Sequence, residues 1–243
     1  AIDPGNAEAL SLLGRIALHG GDARLAGERF DQVLESAPDD LVALVGRAEA
    51  LRREGRLDDA ATTLEHAVAA HPASVEARNN LANVYREKGL LELAAEAYRR
   101  AQPLAPRDPR IMAGLAETYY YMARERPRDG RPDPEALARA LEQVQLALAQ
   151  GEGPGYRSLL GQILLALGRI EQAKAELMKA VLREPEDVAA IGNLGIVFEA
   201  EGRPDQARGQ WERVLEIAPD NAAARENLAR LRAREPAAFR PGR

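Results

Sequence analysis

Cysteine is missing from all 243 residues, which excludes disulfides, thiolate metal sites and cysteine nucleophiles. That absence fits a reducing or an oxidising compartment equally, so it leaves cytoplasm and periplasm both open. Aromatic residues make up only 4% of the chain, with one Trp, three Phe and six Tyr. Together with few β-branched residues, this argues against sheets. Histidine occurs three times, at His19, His66 and His71, in unrelated places, and no metal or acid–base role is expected of them. No apolar run approaches the roughly 20 residues that span a bilayer, so no membrane insertion is expected. Positive charge is not in excess either: the net charge is -5, which gives no general attraction for nucleic acid. Glycine-rich phosphate loops, His-Glu-x-x-His and Gly-x-Ser-x-Gly are all missing, and no cofactor is implied. No nucleophile or base stands beside an orienting partner, so the chain is not expected to be an enzyme.

What the chain does have is a beat. Proline recurs at Pro4, Pro38, Pro72, Pro106, Pro185 and Pro219, at intervals of 34 residues except for one of 79. Gly21, Gly55, Gly89, Gly168 and Gly202 keep the same interval and the same interruption, and so do Ala26, Ala60, Ala94, Ala173 and Ala207. A fixed period of this length marks a stacked-repeat architecture. Ala and Leu supply most of the apolar surface, and both rank high in helix propensity.

Within one period, Leu10, Leu13, Gly14 and Ala17 form a stripe of helical spacing. Gly20-Gly21 stops that helix, and Ala26, Phe30 and Val33 form a second stripe that ends before Pro38. Later periods repeat the order, with Leu81-Ala82, Tyr85, Ala94, Tyr98, Ala101 and Pro106, and with Leu194-Gly195, Phe198, Ala207, Trp211, Val214 and Pro219. The second, Leu44 to Pro72, is degenerate, with Arg47 where Leu is usual. The pattern resembles the tetratricopeptide repeat, and the resemblance implies an all-α, right-handed superhelical solenoid. We count about six repeats, starting near residues 7, 41, 75, 109, 154 and 188. The small residues Gly14, Ala48, Ala82, Ala116, Gly161 and Gly195 let the two helices of a repeat approach closely. Asn221 to Arg234 reads as a C-terminal capping helix with Leu228 and Leu231 facing inward, and such caps close repeat arrays. Trp211, Tyr85, Tyr98, Tyr119 and Phe198 are assigned to the core by their repeat positions. Asp39-Asp40 and Asp58-Asp59 stand at helix starts, where carboxylates cap free N–H groups.

The fourth repeat carries 11 extra residues, expected between its helices in the segment Arg124 to Pro134, with Asp133 as N-cap of the second helix. An insertion of this kind is either a binding feature or a tolerated surface loop. Gly151-Glu152-Gly153-Pro154-Gly155 then gives either a hinge or a glycine-rich turn. The resulting organisation is 1–6 as the end of a preceding repeat, 7–153 as repeats one to four, 154–236 as repeats five and six with the cap, and 237–243 as a tail. The opening Ala1-Ile2-Asp3-Pro4 matches the ending of the internal repeats, so a further repeat is expected before it, and the first repeat is expected to expose an apolar face able to self-associate.

In the family resembled, the first helix of each repeat lines a concave groove that receives a peptide or partner helix. Carried onto this chain, that implies partner-binding by Arg15, Arg52, Asn79, Asn80, Asn83, Arg86, Glu117, Tyr120 and Tyr121. Asn side chains offer a donor and an acceptor to a peptide backbone. Asn80, Asn193 and Asn227 share one repeat position, but Leu12, Gly46, Gly114 and Leu159 interrupt that ladder. The two-carboxylate clamp of chaperone adaptors is not present. Arg15, Arg52, Arg53 and Arg86 suit an acidic peptide, or else are solvated cations compensated by Glu49 and Glu87. Tyr120 and Tyr121 suit interface anchors, or lie under the inserted segment. The expected function is a protein-interaction scaffold that binds a peptide or protein segment. The alternatives are a targeting or regulatory arm of a longer enzyme or bacterial assembly, secretion or envelope factor, and a scaffold that self-assembles through the first repeat.

Overall fold

Short polar side chains start the first helix of most repeats. Asn6, Asp40, Ser74, Asp187 and Asn221 each accept a hydrogen bond from a backbone N–H one turn ahead, as N-caps do. The computed structural model describes residues 6–128 and 130–234. The expectations for Pro4 and for the tail 237–243 fall outside the described residues. Among them there are thirteen helices and no strand, only an isolated bridge between Arg128 and Arg131. The helices are α1 (Ala7–His19), α2 (Ala23–Ser36), α3 (Leu41–Arg53), α4 (Leu57–Ala70), α5 (Val75–Glu87), α6 (Leu91–Ala101), α7 (Pro109–Glu125), α8 (Pro134–Gln150), α9 (Tyr156–Ala166), α10 (Ile170–Arg183), α11 (Val188–Ala200), α12 (Pro204–Ile217) and α13 (Ala222–Arg234). They form six helical hairpins and a final single helix. The chain divides into two compact units after Tyr121.

Five hairpins turn in the same way. Gly21, Gly55, Gly89, Gly168 and Gly202 have φ between 72 and 81°, a left-handed conformation that disfavours any side chain. The next residue's N–H then returns to a carbonyl in the last turn of the first helix, as Asp22 does to Ala17 at 2.9 Å and Arg169 to Leu164 at 2.9 Å. That pairing is the Schellman closure, and it satisfies carbonyls the helix end leaves open.

The fourth hairpin differs, and not only in its loop. The position of the turn glycine is occupied by Ala123, so α7 runs on until Pro127 makes continuation unfavourable. α7 has 17 residues where the first helices α1, α3 and α5 have 13, and α8 has 17 where the second helices α2 and α4 have 14. The 11 extra residues are thus shared between two lengthened helices and the connection 126–133, rather than lying wholly between the helices. The closing bond survives the change: Asp133 N–H reaches Ala123 C=O at 2.9 Å, while the Asp133 side chain caps α8 through Glu135 N–H at 3.1 Å.

Close helix contacts use residues without side chains. A Cβ on Gly14 would lie 2.8 Å from the Phe30 ring, and one on Gly195 would lie 2.3 Å from Trp211 Nε1. Trp211 is fully buried and donates to Gly192 C=O at 3.1 Å. Tyr98 and Tyr119 are buried as expected. Tyr85 and Phe198 are only partly buried: the Tyr85 hydroxyl donates to Glu65, and Lys174 and Arg203 lie over the Phe198 ring. Asp40 caps α3, whereas Asp39 Oδ1 lies 2.7 Å from His66 Nε2, and Asp58 and Asp59 pair with Lys88 and Arg56. Leu228 and Leu231 of α13 pack on Trp211 and Val214, with Arg230 and Arg234 outside on Glu199. The glycine-rich junction is tied down, since Gly155 N–H donates to Glu184, Arg157 pairs with Glu152 and Glu176, and Tyr156 fills the space a Gly153 side chain would need.

Candidate functional site

Helices α3 and α5 stand side by side in the first unit, each the first helix of its hairpin. From α3 come Glu49 and Arg52, and from α5 come Asn80, Asn83, Arg86 and Glu87. With Ala48, Leu64 and Val84 they line a recess of about 220 Å³. Of the residues expected to bind a partner, the fold therefore brings Arg52, Asn80, Asn83 and Arg86 to one place. Glu117 and Tyr121 of α7 join through Arg86. Asn79 is half-buried and does not line the recess, Arg15 stands apart and exposed on α1, and Tyr120 packs against Tyr121 with ring centroids 5.8 Å apart.

The charges of the recess are spent on one another. Arg52 holds both oxygens of Glu49, at 2.8 and 3.0 Å, and reaches Glu87 at 2.9 Å with its remaining nitrogen. Arg53 bonds Glu49 at 2.6 Å and Leu18 C=O at 2.5 Å. Arg86 pairs with Glu117 at 2.9 Å, and the Tyr121 hydroxyl donates to that same carboxylate oxygen at 3.3 Å. Three guanidinium groups thus meet three carboxylates. Burial works against the Glu49 charge, yet the bonds from Arg52 and Arg53 outweigh it and hold the carboxyl below its ordinary range. Burial likewise opposes the Arg86 charge, and Glu117 and then Tyr98 more than compensate, so Arg86 is held above its ordinary value.

Hydrogen-bonding capacity, by contrast, is left over. Asn80 has no partner among the described residues. Asn83 uses only its carbonyl oxygen, which accepts from the Tyr98 hydroxyl at 2.5 Å, and its amide nitrogen is unspent. The Nε of Arg86 is buried without a partner. All three carry N–H donors.

Tyr98 is the participant that sequence reasoning assigned to the core alone. The whole side chain is buried, but its hydroxyl bonds Asn83 of the recess lining from behind, and burial pushes its pKa up to about 12 against the pull of Arg86. The signal was Gly114. A Cβ there would sit 2.4 Å from the Tyr98 ring, so the ring needs glycine opposite. Gly46 does the same for Phe30, at 2.2 Å. The asparagine ladder is broken at Gly46 and Gly114 because that position faces the preceding repeat's large side chain and an aromatic ring there leaves no room.

Repeated helical hairpins in one register, with polar groups gathered on their first helices, define a helical-repeat interaction scaffold. The tetratricopeptide repeat model matches residues 45–109 and 158–222, more than half of the chain, and the chain belongs to that family. No curated protein matches the sequence. Among solved structures, the APC/C hetero-tetramer Cut9–Hcn1 superposes with a TM-score of 0.82 at 18% identity, covering 95% of this chain and 43% of that one. This chain therefore spans less than half of that relative's length. Pseudomonas aeruginosa PilF gives a TM-score of 0.74 at 17% identity, covering 92% of this chain and 97% of its own. YrrB, described as a TPR protein with an unusual peptide-binding site, gives 0.57 at 18% identity, covering 82% of this chain and 97% of its own. At these identities the likeness is one of fold.

Proposed function

We propose that the protein is a non-catalytic scaffold that binds an extended peptide segment over α3, α5 and the first part of α7, mainly through the peptide's main-chain carbonyls. The observation that carries this reading is the mismatch in the recess between cancelled charge and unspent donors. Arg52, Arg53 and Arg86 are each occupied by carboxylates, so an acidic peptide would first have to displace Glu49, Glu87 or Glu117. Such exchange of one carboxylate for another gains little. A carbonyl oxygen, however, meets Asn80 and the Asn83 amide nitrogen without displacing anything. Tyr121, exposed at 38%, supplies an aromatic surface beside the recess for a side chain of the bound segment.

Peptides selected from a random display library on the intact chain provide the test. Their affinity is expected to change by less than about threefold between low and moderate salt, since few ion pairs form, and to fall about tenfold in Asn80→Ala. Asn80 has no internal partner, so that substitution leaves the fold intact. Steep salt dependence would assign the site to acidic ligands instead, and indifference to Asn80→Ala and Tyr121→Ala together would place binding elsewhere.

A further inference from the structure

One register position of the first helices holds leucine at Leu13, Leu81, Leu115, Leu160 and Leu194, and again at Leu228 in α13. Only α3 departs, with Arg47. The α2 residue that meets it has changed as well: Gly27 stands where the next two repeats have Ala61 and Ala95, and a Cβ on Gly27 would lie 2.8 Å from Arg47 Nη1. Ala61 and Leu81 sit together in an apolar cluster, whereas Arg47 bonds Asp31 of α2 through its Nε at 2.7 Å. Two departures from the repeat thus fall at one contact.

An open groove of about 490 Å³ lies at this contact, lined by α2, α3 and α4. Leu34, Pro38 and Leu44 give it an apolar part, Arg47 follows one turn along α3, and Thr62 and Thr63 line the α4 side. It uses a different face of α3 from Ala48, Glu49 and Arg52, which line the recess described above. Elsewhere in the chain, guanidinium groups of this kind are filled: Arg52 divides itself between Glu49 and Glu87, and Arg157 between Glu152 and Glu176. Arg47 has Asp31 alone, so its two terminal nitrogens have no partner among the described residues. The other charges of the groove are taken, Asp59 by Arg56 and His66 by Asp39. Arg47 is 18% exposed, which leaves it open to a ligand while shielding the resulting bond from much of the water.

We infer that this groove is a second docking site, for a partner's amphipathic helix that lays an aliphatic side chain on Leu34, Pro38 and Leu44 and a carboxylate, one turn along, on the terminal nitrogens of Arg47. Charge complementarity selects the carboxylate, because the unoccupied end of a guanidinium fork matches its two oxygens with parallel N–H···O bonds. Spacing selects the helix. Leu44 and Arg47 are separated along α3 by a rise of about 4.5 Å, which matches side chains one turn apart on a helix lying along the groove.

The probe is a lactam-stapled, alanine- and glutamine-based helical peptide with one leucine and, one turn on, one glutamate, titrated into the isotope-labelled full chain and followed by amide chemical shifts. Saturable shifts are expected around Leu34, Leu44 and Arg47. Affinity is expected to fall about tenfold when the peptide's glutamate is replaced by glutamine, and by a similar factor in Arg47→Leu. Leucine is what the other repeats carry there, so Arg47→Leu keeps its helical circular dichroism and the comparison is made at equal fold. Arg47→Lys, which keeps the charge and loses the fork, is expected to recover only part of the affinity. An Arg47 that served the fold alone would change unfolding and leave the peptide's affinity untouched. Absence of saturable shifts, equal affinity in wild type and Arg47→Leu, or equal affinity of the glutamate and glutamine peptides overturns the inference. So do shifts of the same amides by free isocaproate as large as the peptide's, which would give the groove to small acids, and wild-type dimers dissociated by Arg47→Leu in sedimentation, which would give it to a second copy. Asn80→Ala is expected to leave this affinity unchanged, so failure of the peptide-carbonyl reading is read separately.

Discussion

At the scale of single residues, Gly114 and Tyr98 carry the most consequence. The ring tip occupies the space a Gly114 side chain would take, and its buried hydroxyl donates to Asn83 and orients it. Gly114→Ala would place a Cβ 2.4 Å from the ring, so the ring must move. Overpacking of this kind costs about 1–3 kcal/mol. Gly209→Ala is the matched control, because nothing lies within 4 Å of a Cβ there. It is expected to stabilise the protein by about 0.5–1 kcal/mol through the helix and unfolded-chain preference for Ala over Gly. Urea unfolding midpoints of the two variants should therefore move in opposite directions. That Gly14 and Gly195 mark close contacts was legible in the repeat pattern. The reach of the Tyr98 hydroxyl was not, since the pattern says that a large residue packs there and nothing about its polar tip.

Among the elements, the fourth hairpin is the individual one. Loss of the turn glycine lets α7 gain a turn, and Asp133 then recloses the hairpin with its N–H while capping α8 with its side chain. Arg128 pairs with that carboxylate at 3.3 Å. Asp133→Ala is expected to cost about 1 kcal/mol, the usual worth of an N-cap, and Asp133→Asn much less, since an amide oxygen also caps. Comparison of the two by thermal or urea unfolding separates the cap from the ion pair. The sequence marks the segment and the cap. It does not show the division of the extra residues between helix and loop, because helix length there depends on what the longer faces can bury.

For the molecule as a whole, stability in a repeat array is built from neighbour contacts, so an uncovered face should loosen the repeat that bears it. Amide hydrogen exchange is expected to be faster in α1, whose Ile16 is 58% exposed, than in α3 and α5. Exchange in α1 as slow as in α3 would contradict that picture. The other end behaves differently, since α13 buries Leu228 and Leu231 and holds Glu199 with two arginines.

The sequence by itself determined the repeat register, the family, and the positions of nearly every helix, because glycine turns, proline stops and apolar stripes are local signals that act within one repeat. It also nominated Arg52, Asn80, Asn83 and Arg86. Only the tertiary structure decided what those residues have left to offer a ligand. Glu49, Glu87 and Glu117 reach the arginines from neighbouring turns and repeats and cancel their charge, and Tyr98 takes one half of Asn83 from a different helix. Charge and hydrogen-bonding capacity are settled by distances of a few ångströms between helices, and no spacing along the chain encodes them.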